Sequence, residues 1–335
     1  MRAARLRVWL LAVTAVVVGA APLASAYLKL GVTAGSKATT LKWSAVPITW
    51  FSEDRGVTGV TATEAQAAFA RAFATWQAVP TATVAYQFGG YTSARPLDHD
   101  GRSTLGFLDR PDLSRVLAST NYLIDDATGT IVEADIFFNT SYAWSTASGG
   151  AAGQYDLESI ALHEIGHFNG LGHSALGETD LLPTGSRVVM SLASVMFPIA
   201  FQPGSVAARS LRPDDVAGVS DLYPEAGFDA STGAVTGHVT KNGVGVFGAH
   251  IVAFNPATGV MVGGFALGPG GQFSIRGLSP GVYVLRAEPL DDAEVGDFFD
   301  VSGVDVNFRV TVASTLAVVP RGGASASVDI AVEAR

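Results

Sequence analysis

His163-Glu164-Ile165-Gly166-His167-Phe168-Asn169-Gly170-Leu171-Gly172-His173 is the stretch on which the reading of this 335-residue chain turns. His163 and His167 stand four residues apart, so on a helix they share one face and both imidazoles can reach one metal ion. Glu164 sits one step around that helix. There its carboxylate can hold a water, take the water's proton as it attacks a carbonyl, and return that proton to a leaving amine. Gly170 predicts the end of the helix with φ > 0, and the turn it makes brings His173 back beneath the same metal. Three neutral imidazoles leave a fourth position open, which separates a catalytic zinc site from a closed structural one. The spacing therefore points to zinc held by His163, His167 and His173, with Glu164 as general base.

The flanking residues support a helix at that place. Asp156 is a candidate N-cap, Glu158 falls in the first turn, and Ile160 and Leu162 set apolar bulk beside the histidine face. Upstream, Val46 to Phe51 reads as a strand, and Thr63 with Gln66 three residues later predicts the start of another helix. Phe69, Phe73 and Trp76 recur on it at helical spacing, a core stripe that sets this helix against a sheet. Asn121 to Ile124 and Ile131 to Asn139 are strand candidates joined by a turn in which Asp125 and Asp126 read as turn formers before calcium ligands. A last helix is opened by Pro213, with Asp214 and Asp215 in its first turn. Strands with an early helix and then the histidine helix make an α/β layered domain.

The ends of the chain carry different signals. Arg2, Arg5 and Arg7 precede an apolar run from Val8 to Ala21 and the triplet Ala24-Ser25-Ala26, so residues 1–26 read as a Sec-type signal peptide cleaved after Ala26. The apolar run is shorter than the roughly 20 residues of a bilayer span, and no later stretch is apolar enough, which predicts a secreted, extracellular chain without a membrane span. The chain has no cysteine, which rules out a lipid-bearing cysteine, a disulfide framework and a thiol that could block zinc. Its net charge of −9 becomes three units more negative once the signal is removed, so nucleic acid is not an expected partner. The alanine-rich composition suggests a bacterial source.

Beyond a short segment at 27–41, the chain divides into residues 42–227 and 232–335. The second part has no helical period. Val235 to Thr240, Ala249 to Asn255, Met261 to Phe265, Gln272 to Ile275, Val282 to Glu288, Val306 to Val312, Leu316 to Val319 and Ser327 to Val332 alternate between glycine and proline turns, which fits a small all-β antiparallel sandwich. His238 and His250 fall on strand candidates without metal-ligand spacing and read as structural.

With the histidine motif, Ser174 directly after it, Ser194-Val195-Met196-Phe197-Pro198, Glu133-Ala134-Asp135-Ile136-Phe137-Phe138-Asn139 and Leu211 to Tyr223 in place, residues 41–223 resemble the metzincin zinc endopeptidases, and among them the secreted matrixins. The resemblance implies an α+β domain with a twisted, mostly parallel sheet, His163, His167 and His173 as zinc ligands, Glu164 as catalytic base, and Met196 as the methionine of the turn beneath the metal. It also implies that Asp214 or Asp215 hydrogen-bonds the backbone around that turn. Gly248 to Phe254, Gly271 to Leu278 and Pro280 to Tyr283 are similar to carboxypeptidase-regulatory-like domains, a likeness of fold and not of activity.

Two features depart from the matrixin pattern. No cysteine-bearing propeptide precedes the domain, and the loop that usually supplies histidines to a second, structural zinc contains only Asp98-His99-Asp100-Gly101. His99 reads first as a surface loop residue and only second as a metal ligand, while the neighbouring Asp98 and Asp100 are a weak hint of calcium.

The expected function is that of a monomeric, secreted zinc endopeptidase. Its protein substrate lies extended along an edge strand near Leu117 to Ile124, and the side-chain pocket is formed with Phe197, Pro198 and Ile199, favouring an apolar residue after the cut. The alternative is a non-catalytic secreted adhesion or matrix-binding module with a relic zinc site. Retention of Glu164 argues against it, since a structural site needs no unliganded carboxylate.

Overall fold

The structure, a computed structural model, describes residues 28–34, 37–183, 187–290, 298 and 303–335. The signal-peptide segment 1–26 lies outside the described residues. No helix of the described residues is long and apolar enough to cross a membrane.

A short N-terminal hairpin, β1 (Gly31–Ala34) and β2 (Lys37–Thr40), leads to β3 (Ile48–Glu53), α1 (Ala62–Gln77), β4 (Tyr86–Thr92), β5 (Ser103–Leu108), β6 (Ala118–Asp125) and β7 (Thr130–Asn139). These last five strands form one sheet in the order β4-β3-β5-β7-β6, parallel except for β6, which runs antiparallel to β7 at the edge. The Asp125 to Gly129 connection is a tight turn in which the Asp125 carboxylate accepts from the Ala127 N–H at 3.0 Å. The aromatic stripe of α1 is buried against the sheet: Phe69 stacks on Phe138 with ring centroids 5.0 Å apart, and Phe73 on Trp50 at 4.6 Å. The helix begins two residues earlier than Thr63 would place it, because Thr61 is the N-cap. Its hydroxyl accepts from the Glu64 N–H and the Glu64 carboxylate accepts from the Thr61 N–H at 2.8 Å. Both Thr-x-x-Glu and Thr-x-x-Gln fit the box, and the charged side chain gains from the positive end of the helix dipole.

After β8 (Trp144–Ser145) and β9 (Tyr155–Asp156) comes α2 (Leu157–Phe168), capped by Asp156, whose carboxylate accepts from the Ser159 N–H at 2.9 Å. Arg209 fastens this cap from outside, its Nε donating to the Asp156 carboxylate at 2.9 Å. α2 packs on α1, with the Trp76 indole N–H donating to the Leu162 carbonyl at 2.8 Å. A second hairpin, β10 (Gly177–Leu181) and β11 (Arg187–Leu192), was not legible in the sequence. α3 (Pro213–Leu222) and the short α4 (Phe228–Ser231) follow.

The C-terminal region holds β12 (Gly233–Lys241), β13 (Val244–Gly245), β14 (His250–Phe254), β15 (Met261–Phe265), β16 (Gln272–Leu278), β17 (Gly281–Glu288), β18 (Thr311–Val312), β19 (Ala317–Val319) and β20 (Ile330–Val332). β12 centres one sheet, between β13 and β16 with β20 also against it; the other runs β15-β14-β17-β18 with β19 on β17. Along β12 and β17 buried residues alternate with partly open ones, as expected of strands with one face on a core. The expectation of a purely antiparallel sandwich needs one correction, since β20 runs parallel to β12. The extended stretch from Val306 also forms strand only at its end, in β18.

The two parts share a continuous core. α3 lies against β15 and β16, and Arg276 of β16 meets Asp221 of α3 at 3.3 Å.

Candidate metal centre

α2 carries His163 and His167 on one face, and the chain then turns sharply. Gly170 has φ +97°, a conformation that strains any residue with a Cβ, and a Cβ there would also press on the Leu41 carbonyl. The carbonyls exposed by the end of the helix are taken up by three aromatic side chains. The Tyr122 hydroxyl donates to His167 O at 2.6 Å, the Trp43 indole to Phe168 O at 2.8 Å and the Tyr223 hydroxyl to Asn169 O at 2.8 Å.

The turn brings His173 to the other two histidines. One nitrogen from each of the three lies within 4.8 Å of the others, and among the described residues no other His, Cys, Asp or Glu completes such a group. Two backbone carbonyls orient the helical pair. His163 Nδ1 is 2.7 Å from Val195 O and His167 Nδ1 is 2.8 Å from Leu171 O, so each ring donates on that side and turns its Nε2 lone pair inward, where the two Nε2 atoms are 3.1 Å apart. Burial, reinforced by repulsion from His173, lowers the His163 imidazole to about pH 3, and burial keeps His167 well below the ordinary histidine range. Converging neutral imidazoles with no protons in the way suit zinc, so the donor set fits the metal.

Glu164 stands beside this group without joining it. Its carboxylate is buried and accepts from the Thr120 hydroxyl on β6 at 2.7 Å, while burial raises it to about pH 7 against the opposing pull of that hydrogen bond. Thr120 was not singled out by the sequence, since it lies 44 residues from Glu164 and only the pairing of β6 with β7 puts it under α2.

Met196 packs directly under the helix. A Cβ on Gly166 would fall 2.1 Å from the Met196 sulfur, so the position between the two helical histidines admits only glycine while the methionine stays where it is. Asp215 holds the Met196 turn: its carboxylate accepts from the Ser194 hydroxyl at 2.5 Å, the Val195 N–H at 3.0 Å and the Arg212 N–H at 2.7 Å. Asp214 faces elsewhere, accepting from the Ser174 hydroxyl at 2.7 Å and from the Gly263 N–H of β15 at 2.8 Å.

The three residues expected to form the side-chain pocket are not equivalent. Phe197 is buried against Gly177 at the base of the β10–β11 hairpin and serves packing there, whereas Pro198 and Ile199 are half-buried. A cleft of about 350 Å³ opens between β10 and the C-terminal region, lined in part by Ala175, Glu178, His250 and Glu288.

His99 is not a plain surface residue either. Its side chain is three-quarters covered and its Nδ1 lies 3.6 Å from a buried Glu133 carboxylate oxygen. Neighbouring Asp135 accepts from the Thr104 and Leu97 N–H groups, yet burial raises it to about pH 7. A carboxyl raised in the fold keeps a proton that the unfolded chain releases, so its contribution to stability falls as pH climbs from about 4 to about 7. Urea unfolding of the metal-free chain at pH 5 and pH 7 is expected to show a flatter pH response in Asp135→Asn than in wild type. Parallel responses would contradict this.

Residues 42–224 match the model of the matrixin family. The chain belongs to the matrixin family. The family is one of zinc metallopeptidases, and the histidine group of this matrixin could hold the metal ion the family implies. No curated protein matches the chain. Similar solved structures include the Bacillus anthracis TIE protein, at 15% identity and TM-score 0.21 over 31% of this chain and 17% of that one. They also include GBS52, the minor pilin of Streptococcus agalactiae, at 14% identity and TM-score 0.20 over 31% of this chain and 45% of that one. BcpA, the major pilin subunit of Bacillus cereus, is similar at 15% identity and TM-score 0.19 over 31% of this chain and 30% of that one. The matrixin thus spans less than half the length of each.

Proposed function

We propose that this matrixin is a secreted endopeptidase that cuts extracellular proteins, with His163, His167 and His173 as the zinc ligands and Glu164 as the general base. The observation that carries the reading is the buried carboxylate of Glu164 beside, and outside, the three-histidine group. When bound, zinc would supply Lewis-acid polarisation of a peptide carbonyl and make a water more acidic.

The chain's own residues do the rest. His163 and His167, neutral and oriented by Val195 O and Leu171 O, present lone pairs at no cost of deprotonation. Glu164, buried beside the three histidines, takes a proton from the attacking water and hands it to the leaving amine. Thr120 fixes the carboxylate through its hydroxyl. β6, at the edge of its sheet, offers a backbone to an extended substrate. Exit through the signal at residues 1–26, an apolar residue after the cut, and the domain limits 42–227 and 232–335 belong to the same proposal.

The test is hydrolysis of casein or gelatin by the chain supplied with zinc and by the metal-stripped chain. Equal cleavage in both would remove the reading. Thr120→Val, which deletes the hydroxyl and keeps the shape, is expected to lower kcat about tenfold with KM nearly unchanged, and Thr120→Ser to restore it. A loss confined to KM would take Thr120 out of this role.

A further inference from the structure

His173 differs from the other two histidines in being carried by a loop, so no helix sets its position. Part of what holds that loop comes from outside residues 42–224, the span that matches the matrixin family. On one side the Gly172 N–H donates to Leu28 O at 2.6 Å, and on the other the Ser174 N–H donates to Met196 O at 2.9 Å. The Ser174 hydroxyl binds one oxygen of the buried Asp214 carboxylate, whose second oxygen takes the Gly263 N–H of β15. One fully buried carboxylate thus ties the residue after the third histidine to a strand of the C-terminal region.

A second contact reaches the histidine itself. Phe298, fully buried, stands nearly perpendicular to the His173 ring, with centroids 6.1 Å apart and planes at 76°. It belongs to a small apolar cluster with Leu28, Phe265, Leu267 and Leu290, against which Ala175 also packs. That cluster is separate from the main core and meets the loop that carries the ligand through Ala175.

We infer that the C-terminal β-region is a working part of the metal centre, with Phe298 and the Gly263 N–H as positioning groups that hold His173 in place for zinc. The inference rests on the zinc reading above. A loop histidine must give up backbone and rotamer freedom when it binds a metal, and a loop already held by packing has less to lose. An aromatic edge against an imidazole also restricts the ring's rotation and keeps water from that side. In this view residues 42–224 alone would carry all three ligands but bind zinc more weakly than the full chain.

The experiment is zinc titration of the full-length chain against a competing chelator, together with the visible spectrum of the cobalt-substituted protein. Removing a group that orients a metal ligand costs on the order of tenfold to a hundredfold in affinity. Phe298→Ala is expected to bind zinc about tenfold more weakly and to shift the cobalt bands, with Phe298→Leu showing a smaller loss of about threefold. Phe308→Ala serves as the control, because Phe308 is equally buried in the β-region but belongs to the main core cluster; its affinity should stay within about twofold of wild type. Should Phe298→Ala fail to fold, the Phe298→Leu titration and spectrum carry the test.

Unchanged affinity in both Phe298 variants would overturn the inference, as would an equal loss in Phe308→Ala. Tighter binding in Phe298→Ala would show that the ring obstructs the centre and would overturn it too. Zinc affinity is read without peptide hydrolysis, so an inactive chain that binds zinc removes only the peptidase reading, and a wild-type chain that binds none removes both.

Discussion

Replacing Glu164 with alanine is expected to lower kcat/KM for casein about a thousandfold while the zinc content of the protein stays unchanged. The two halves of that expectation have separate grounds. Zinc content should hold because the carboxylate is outside the group formed by His163, His167 and His173 and spends one oxygen on the Thr120 hydroxyl. Activity should fall because the buried Glu164 carboxylate is the group this reading assigns to take the water's proton, and alanine offers no acceptor in its place. Metal analysis and initial rates on the same preparation check both. Equal rates in wild type and Glu164→Ala would remove the mechanism. No activity in either, with zinc bound in both, would favour an adhesion or matrix-binding module that keeps a relic site.

Asp215→Ala is expected to destabilise the metal-free chain by about 4 kcal/mol, read by urea unfolding. Asp215 is almost fully buried, and its carboxylate is the acceptor for the Ser194 hydroxyl and for the Val195 and Arg212 N–H groups. Truncation leaves those donors buried without partners, at about 1–3 kcal/mol for each that finds no substitute. The damage should also spread to the metal centre, because the same turn supplies Val195 O to His163 and sets Met196 under Gly166. Asp215→Asn keeps an acceptor oxygen and should cost less. A loss under about 1 kcal/mol in Asp215→Ala would mean that the turn is held by something else.

Asp214 and Asp215 are alike in sequence and differ only in the fold. Both sit in the first turn of α3, where negative charge suits the helix dipole, and that local argument treats them alike. Only the packing separates them, sending Asp215 to the Met196 turn and Asp214 to Ser174 and Gly263. Thr61 and Thr63 present the same problem at α1, where two overlapping capping boxes compete and the geometry of one carboxylate decides. The β10–β11 hairpin is illegible in the sequence for a different reason. Its strands are short and hold no buried residue, so they lack the buried alternation that marks a strand in sequence.

What the sequence determined by itself was everything that a helix enforces locally. A four-residue spacing places two histidines on one face, an aspartate caps the start, and a glycine at positive φ ends the helix and returns the third histidine, because each depends only on backbone geometry within a turn or two. Tertiary structure decided the partners that lie far away along the chain: Thr120 against Glu164, Met196 under Gly166, and Phe298 beside His173. Those contacts follow from sheet register and from the docking of one layered unit on another, and neither leaves a periodic mark in the order of residues.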